Sequence, residues 1–454
     1  MIFAIYSTTK SRSDETLLTV DFNLRRRNAT LSLQVPQGRH FVEKVSSLQD
    51  LGARRDVLLR RLRFASPTVN KVLSRAGQFS VNIILVYIFS LLLFSCQKKE
   101  QSRTNVYSDN PIADSIFYAK GFQIETYTGC TLATIRNPWN NRLVLQRYVL
   151  VPKSDTLPKN LPDGILIRTP LARTVCYGSV QCVFLSELNV LQTLAGVCEP
   201  QYINIPYVRE NVRNGKIADL GQAANPDLEK IMLIQPEALF TAPIDNSGYG
   251  QAVKLKIPMI ECVDYMESTP LGRAEWIRFF ALFFDKREIA DSLFKETVSR
   301  YNELVRLTAN VEKRPSVFME TIYSGIWYQP GGNSYVAHLL SDAGADYLWK
   351  KDTNTGSIAL SFETVLAKAE KADYWLIKDN NPEDMTYNKL IQENSNYALF
   401  DAHKKRNIYL CNTGKVSYYE DLPIHPDGIL KDMVRIFHPD LLPDFQLRYY
   451  KKIE

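Results

Sequence analysis

Histidine is scarce in this sequence, with five residues in 454, and the motifs that usually mark catalysis are absent. Four of the histidines follow the first hundred residues, and none lies four positions from another, which excludes a helical pair of metal-binding histidines. The chain has no glycine-rich phosphate loop, no G-x-S-x-G elbow and no H-E-x-x-H motif. The sequence therefore predicts neither an enzyme nor a protein with a bound metal or cofactor.

Closely spaced cysteines are also absent. The chain has seven cysteines but no C-x-x-C pair and no metal-ligand spacing. Several of them lie in apolar, strand-like runs, where cysteine behaves as a small hydrophobic residue. The sequence therefore assigns no disulfide and no metal site.

Most of the chain lacks an excess of positive charge. The net charge of +6 comes from residues 1–95, which hold 14 basic and 6 acidic residues, whereas residues 96–454 hold 41 and 43. Since the basic excess is confined to the front of the chain, we expect no nucleic-acid partner.

An apolar stretch without charge separates this basic front from the rest. Residues 77–97 carry no charge, and residues 83–95 form a dense apolar run that ends in "LLLFSC". An apolar core of about a dozen residues is short for a membrane span but typical of a signal peptide. The sequence resembles a bacterial lipoprotein signal, with Leu93 three positions before Cys96 and Ser95 directly before it. The resemblance implies a signal peptide at 71–95 and a lipid on Cys96; a plain transmembrane anchor is the alternative.

The segments on either side of the signal have no core-like pattern. Residues 1–70 carry arginine-rich patches, and no Met lies between Met1 and Met232. We expect 1–70 to be a mis-assigned or disordered upstream extension; the alternative is a basic cytoplasmic tail before a membrane anchor. Residues 96–120 are polar, and we expect them to be a tether.

Strand and helix signals alternate through the remainder of the chain. This rhythm predicts an α/β protein with mainly parallel sheets. We expect an N-terminal α/β lobe at 121–269 and a C-terminal α/β lobe at 313–454. Between them, residues 285–311 lack Gly and Pro and keep one apolar face, which predicts a long helix. Residues 270–312 are therefore expected to be a hinge and connecting helix.

An aromatic cluster lies in the glycine- and proline-containing loop "IYSGIWYQPGGN" and just beyond it. Its members are Tyr323, Trp327, Tyr328 and Tyr335. Loops at the carboxyl ends of parallel strands form ligand crevices. The cluster thus predicts a ligand site, with core packing as the alternative.

Several loose motifs occur together in a specific order. They are "LARTVCYGSVQCVFLSELN", "NPDLEKIMLIQPEALF", "GGNSYVAHLLSDAGADYLW" and "SFETVLAKAEKADYWLI". Across about residues 163–440 the chain resembles the cobalamin/iron-siderophore class of ABC-transporter substrate-binding proteins. The resemblance implies two Rossmann-like lobes joined by one long helix, in a monomer held by its lipid on the periplasmic side of the cell envelope.

The same resemblance implies a function. The lobes would capture a ferric siderophore or similar iron chelate and deliver it to an ABC permease dimer with its ATPase. Cobalamin or haem binding by the same fold is the first alternative, and a lipid-anchored hydrolase is an alternative of another class.

Further ligand-binding residues follow from motif position. Tyr177, Ser179 and Gln181 follow the first strand of the resemblance, where this sequence departs from the family's usual Ser/Thr and Pro. Arg273 could meet an anionic ligand; a surface helix arginine is the alternative.

Two glutamates open similar helices in the two halves. Glu229 and Glu363 each stand in a predicted first turn, where the helix dipole favours a carboxylate. By the resemblance, each pairs with arginines of the permease, which a carboxylate can bind in bidentate fashion. The alternative is two first-turn glutamates without a partner.

Overall fold

The computed structural model divides into two compact units, Met1–Ser102 and Arg103–Glu454. In the first unit it describes the backbone of three strands, which form an antiparallel sheet in the order β1-β2-β3. These strands are β1 (Tyr6–Lys10), β2 (Thr16–Leu24) and β3 (Arg27–Gln34).

In the second unit the structure describes residues 111–140, 142–243 and 250–454, with backbone alone at 250 and 251. The expected signal peptide at 71–95 and the lipid site at Cys96 lie outside the described residues. The origin of residues 1–70 stays a prediction.

The second unit begins with a five-stranded sheet that is antiparallel apart from its last pair. Residues 112–113 pair with the following strand, so this part of the expected tether at 96–120 belongs to the folded domain. The strands are β4 (Ile112–Ala113), β5 (Phe122–Tyr127), β6 (Cys130–Arg136), β7 (Val144–Pro152) and β8 (Ile165–Thr169).

Two buried carboxylates fix the entry to this sheet. The side chain of Glu275, which is fully buried, accepts hydrogen bonds from the backbone N–H groups of residues 117–119. The side chain of Glu267 accepts those of residues 120 and 121 and the indole N–H of Trp276. Because buried backbone donors need acceptors, these contacts explain why an irregular polar segment is ordered here.

Lobe 1 follows, with a parallel sheet in the order β11-β10-β9-β14-β15. Its strands are β9 (Thr174–Cys176), β10 (Leu194–Val197), β11 (Ala218–Asp219), β14 (Ala238–Thr241) and β15 (Met259–Glu261), with a small hairpin of β12 (Gly221–Gln222) and β13 (Asn225–Pro226). Its helices are α1 (Ser179–Glu187), α2 (Pro206–Arg213) and α3 (Leu228–Ile234).

An apolar helix packs between the two sheets. After α4 (Pro270–Ala274), helix α5 (Trp276–Ala281) buries side chains on all sides. Phe280 stacks on Phe184 of α1, with ring centroids 4.3 Å apart. Phe279 meets Phe122 of the antiparallel sheet at 5.7 Å. Every residue of α5 except Arg278 is apolar and buried, so the helix joins the two sheets into one core.

Helix α6 (Arg287–Thr308) connects the lobes. Its 22 residues span about 33 Å. Phe294 packs into the core of lobe 1, whereas Tyr301 and Leu304 pack into the core of lobe 2. The expected connecting helix is present, and it contributes to both cores. Among the described helices none is long and apolar enough to cross a bilayer.

Lobe 2 repeats the parallel layout in the order β19-β16-β21-β22-β23, with β23 antiparallel. A three-stranded sheet, β17-β18-β20, lies beside it. The strands are β16 (Ser316–Met319), β17 (Ile322–Tyr323), β18 (Ile326–Pro330), β19 (Asp346–Tyr347), β20 (Ser357–Leu360), β21 (Tyr374–Asp379), β22 (Ile408–Asn412) and β23 (Lys451–Lys452). The helices are α7 (Tyr335–Asp342), α8 (Phe362–Ala369), α9 (Tyr387–Glu393), α10 (Asp401–Lys404), α11 (Tyr418–Asp421) and α12 (Pro426–Phe437).

Four strands of lobe 1 match four strands of lobe 2 in order, whereas β11 and β23 lack a counterpart. In lobe 1, β9 lies between β10 and β14; in lobe 2, β16 lies between β19 and β21. Helix α3 precedes β14, and helix α8 precedes β21. The predicted fold class, two α/β lobes with mainly parallel sheets joined by one long helix, is confirmed.

Candidate functional site

Three adjoining cavities, of about 790, 450 and 570 Å³, lie along the carboxyl ends of the lobe 2 strands. Tyr419 borders all three, so we treat them as one space, here called the crevice. Ser179, Tyr202 and Tyr265 line it from lobe 1. Both lobes therefore contribute to its walls.

Polar side chains enter the crevice directly from strand ends. Glu320 follows β16, Lys378 and Asp379 end β21, and Thr413 follows β22. Because the carboxyl ends of parallel strands meet at one edge of a sheet, these side chains converge.

Glu320 and Lys378 form an ion pair in the crevice wall. The backbone of Glu320 has φ of +62°, a conformation that costs energy for a residue other than Gly. The indole N–H of Trp375 donates to the Glu320 carbonyl oxygen at 2.7 Å, and the Glu320 N–H donates to Leu376 at 2.9 Å. Burial alone would lower the pKa of Lys378, but the Glu320 carboxylate raises it above its ordinary value, so the lysine stays protonated.

Tyrosine is the commonest aromatic residue of the crevice. Four rings are well exposed: Tyr323 (74%), Tyr202 (58%), Tyr419 (49%) and Tyr328 (40%). Tyr418, in contrast, is 1% exposed, and it packs edge-on against Tyr419 with ring centroids 5.4 Å apart. The lining tyrosines are Tyr202, Tyr265, Tyr323, Tyr328, Tyr335, Tyr397, Tyr418 and Tyr419.

Three of the ligand-binding residues predicted from the sequence line the crevice. Ser179 does so from the start of α1, Tyr328 from β18 and Tyr335 from the start of α7. The structure brings them to one space, and their contact with a ligand stays a prediction.

Trp327 is a correction, because it is a core residue. It is fully buried, and its indole N–H donates to the Met319 carbonyl at 2.9 Å. Its ring lies 5.6 Å from that of Tyr397 and 5.8 Å from that of Trp375. Successive side chains of a strand point to opposite faces, so β18 presents Tyr328 to the crevice and Trp327 to the core.

Tyr177 and Gln181 are also buried and line none of the three cavities. Tyr177 packs beside Val175 and Leu220, and burial raises its pKa to about 12. The sequence placed both residues correctly after the first strand of lobe 1. It did not show that their side chains turn into the lobe.

Arg273 does not meet the crevice as a free cation. It is 5% exposed, and its Nε donates to the Asp264 carboxylate at 2.9 Å. The guanidinium carbon lies 4.9 Å from the ring centroid of Tyr335. Arg273 therefore supports a tyrosine of the crevice wall, and the expected contact with an anionic ligand is corrected.

Sequence reasoning missed Glu320, Lys378, Asp379, Tyr418 and Tyr419. A signal was present for the first three, since each comes directly after an apolar strand run, in "VFMET" and "WLIKDN". For the two tyrosines the sequence gave no indication that a four-residue helix would place them beside these strand ends.

Glu229 and Glu363 lie on the surface, in the first turns of α3 and α8. Both helices begin with a side-chain cap, from Asp227 and Ser361 respectively. The Glu363 N–H and the Ser361 hydroxyl lower the pKa of Glu363. The two glutamates hold equivalent places in the two lobes, and neither lines the crevice.

No metal centre accompanies these groups in the part of the chain that the structure describes. Among those residues there is no group of three or more His, Cys, Asp or Glu side chains that could hold a metal ion. The six cysteines in this part of the chain are free and buried.

Two matched α/β lobes, a long connecting helix and a crevice walled by both lobes define a two-lobed binding protein. The chain belongs to the periplasmic binding protein family, whose model matches residues 180–413. Members of this family are substrate-binding components of ABC transporters.

Relatives are similar over most of their length. An uncharacterized lipoprotein of Methanocaldococcus jannaschii is 25% identical over 374 residues, covering 76% of this chain and 87% of the relative. A second uncharacterized lipoprotein of that organism is 27% identical over 322 residues, covering 68% and 80%. A periplasmic binding protein from Veillonella parvula has a similar fold, with a TM-score of 0.50 and 15% identity, covering 63% of this chain and 97% of that structure.

Proposed function

We propose that this protein is a lipid-anchored substrate-binding protein that captures a ferric siderophore or similar iron chelate in the crevice and delivers it to an ABC permease. The observation that carries the proposal is the crevice itself. Its cavities have the volume of small-molecule sites, and aromatic rings with a few polar groups line them. Ser179, Tyr328 and Tyr335 are the ligand contacts retained from the sequence.

A panel of ligands tests this proposal. Thermal-shift assays of the purified protein with ferric hydroxamate and catecholate chelates, haem and cyanocobalamin should show stabilisation by a chelate, because a ligand that binds only the folded state raises its stability. Stabilisation by haem or cyanocobalamin alone would mean that the protein binds that ligand instead of a ferric siderophore, and its role as a binding protein would stand. Hydrolysis of common esters or glycosides without any stabilisation would favour a hydrolase instead.

Lipid anchoring rests on the signal-like sequence and on the two relatives, which are named as lipoproteins. Labelled palmitate should enter the protein in cells, and Cys96→Ala should abolish the label. Cys130→Ala, at a buried cysteine, is the matched control and should retain it. A labelled Cys96→Ala protein would contradict the anchor.

Docking to the permease is proposed for Glu229 and Glu363. Both are exposed, lie away from the crevice lining and stand at equivalent places in matched lobes. Helix α3 also exposes Leu233 (83%) and Met232 (54%), which suits a protein contact. Two lobes with a matching order of elements fit a partner with two similar halves.

A further inference from the structure

Negative charge predominates among the side chains that line the crevice. Four of its charged side chains are carboxylates and two are cations. The carboxylates belong to Glu320, Asp379, Glu393 and Glu420, and the cations to Lys378 and Arg209.

Only one of the two cations has a carboxylate partner. The ammonium of Lys378 pairs with Glu320. Arg209 donates from Nε to the Ile203 carbonyl at 2.6 Å and from Nη2 to the Asn204 side chain. Both acceptors of Arg209 are neutral, so its charge is kept, but Arg209 borders the second cavity, whereas Asp379 and Glu393 border the first. The described lining of that first cavity therefore has no cation free to meet an anionic ligand.

Two of the carboxylates have no cationic partner. The Asp379 carboxylate accepts hydrogen bonds from the Asn380 N–H at 2.8 Å and from the Asn381 amide at 2.7 Å. Burial, and then the neighbouring Asp379 charge, raise the pKa of Glu393. Among the described residues neither carboxylate forms an ion pair, so both charges face one cavity uncompensated.

The aromatic lining points to the same ligand chemistry by a separate route. The exposed faces of Tyr323, Tyr328 and Tyr419 attract cations through the ring quadrupole.

We infer that the crevice selects a chelate that carries a protonated amine, held against Asp379, Glu393 and the tyrosine faces, and disfavours an anionic chelate. This inference rests on the proposed function, since it assumes that a metal chelate enters the crevice.

The test compares chelates that differ only in charge. Ferrioxamine B carries a free ammonium group, its N-acetyl derivative is neutral, and its N-succinyl derivative is anionic, whereas the ferric hydroxamate centre is the same in all three. Titration calorimetry should give the tightest binding for the cationic form and at least about tenfold weaker binding for the anionic form. Raising NaCl from 50 to 500 mM should shrink this ratio, because salt screens charge interactions.

A double variant tests whether Asp379 and Glu393 cause the preference for a cationic chelate. In the double variant Asp379→Asn with Glu393→Gln, the anionic chelate should bind less than about threefold more weakly than the cationic one. Glu312→Gln, at an exposed glutamate away from the crevice, is the control and should keep the wild-type ratio. The two single variants and the salt series answer the question if the double variant does not fold.

The outcomes separate the two proposals. Equal affinities, a preference for the anionic form or an unchanged ratio in the folded double variant would overturn the charge inference and leave the proposed function standing. Binding of haem alone, whose propionates are negative, would overturn the charge inference and would also replace the ligand class of the proposed function. Failure of the three ferrioxamines and of every other ligand in the panel to bind would overturn both.

Discussion

Lobe 1 and lobe 2 share a strand order but present different side chains at matching strand ends. In lobe 1, the residues at the ends of β9, β14 and β15 are Tyr177, Thr241 and Cys262, all of which are buried. In lobe 2, the corresponding strand ends carry Glu320, and Lys378 with Asp379, on the crevice wall. The same backbone layout thus serves two purposes. Lobe 2 supplies most of the crevice lining, and lobe 1 contributes a smaller set of side chains.

The largest effect on uptake should follow from changing the first-turn glutamate that both lobes carry. Glu229→Arg combined with Glu363→Arg should nearly abolish uptake of a labelled chelate, because opposed like charges at an interface cost several kcal/mol. Chelate affinity of the purified variant should stay within about twofold of wild type, because neither residue lines the crevice. Glu210→Arg, at an exposed glutamate of α2, is the control. Normal uptake by the double variant would refute docking, whereas joint loss of binding and uptake would place the glutamates in the ligand site or the core.

A change confined to lobe 2 should have the next largest effect. Lys378→Met leaves the Glu320 carboxylate without its partner in a largely buried site, and we expect a loss of about 3 kcal/mol in the free energy of unfolding. Urea denaturation measures it. Lys389→Met, which breaks an exposed pair with Glu383, should cost less than about 1 kcal/mol. Equal losses in the two variants would show that the crevice pair is not structurally important.

Tyrosines of the two lobes should differ in their effect on affinity. Tyr419→Ala in lobe 2 should weaken chelate binding about tenfold, since this ring borders all three cavities. Tyr202→Ala in lobe 1 should weaken it less than about threefold, because that ring is more exposed and borders one cavity. Titration calorimetry of both variants measures the two losses of affinity. A larger loss for Tyr202→Ala would reverse the assignment of recognition to lobe 2.

The smallest expected effect is on stability, and it comes from a pH-dependent contact between the two lobes. His425 of lobe 2 lies 3.3 Å from the Glu187 carboxylate of lobe 1. That hydrogen bond, supported by Asp421 and Asp427, raises the pKa of His425 even though burial lowers it. A raised pKa in the folded state means that the extra stability is complete below the unfolded pKa of about 6.5 and is lost as pH rises through the folded value.

Wild type should therefore exceed Glu187→Gln in unfolding free energy by about 1 kcal/mol at pH 5.5 and by little at pH 8.5. Glu210→Gln is the control, and it should follow wild type at both values. A difference between wild type and Glu187→Gln that does not change with pH would show that the pair does not depend on protonated His425.

The sequence indicated the fold more fully than the site. Alternating strand and helix signals, and the helix at 285–311, depend on local periodicity, which is why the lobes and the connecting helix could be predicted. Ser179, Tyr328 and Tyr335 could be placed because they follow strands or stand in a strand-end loop. Trp327 was misplaced because the direction of a side chain in β18 depends on which face the core covers, and a loop was expected there.

Other parts of the site depend on long-range contacts that periodicity does not contain. The pairing of Arg273 in α4 with Asp264, which follows β15 of lobe 1, decides whether the arginine is free. The anchoring of residues 117–119 by Glu275 depends on a contact between positions far apart in the chain. Both are tertiary contacts, and no local pattern predicts them.

Hydrogen–deuterium exchange with and without the strongest chelate from the ligand panel tests the central claim most directly. If lobe 2 carries recognition, protection on binding should concentrate at residues 320–328, 376–381 and 413–420, with weaker protection near residue 179 and none in α3 or α8. Protection that is strongest in lobe 1, or that avoids the strand ends of lobe 2, would contradict the account.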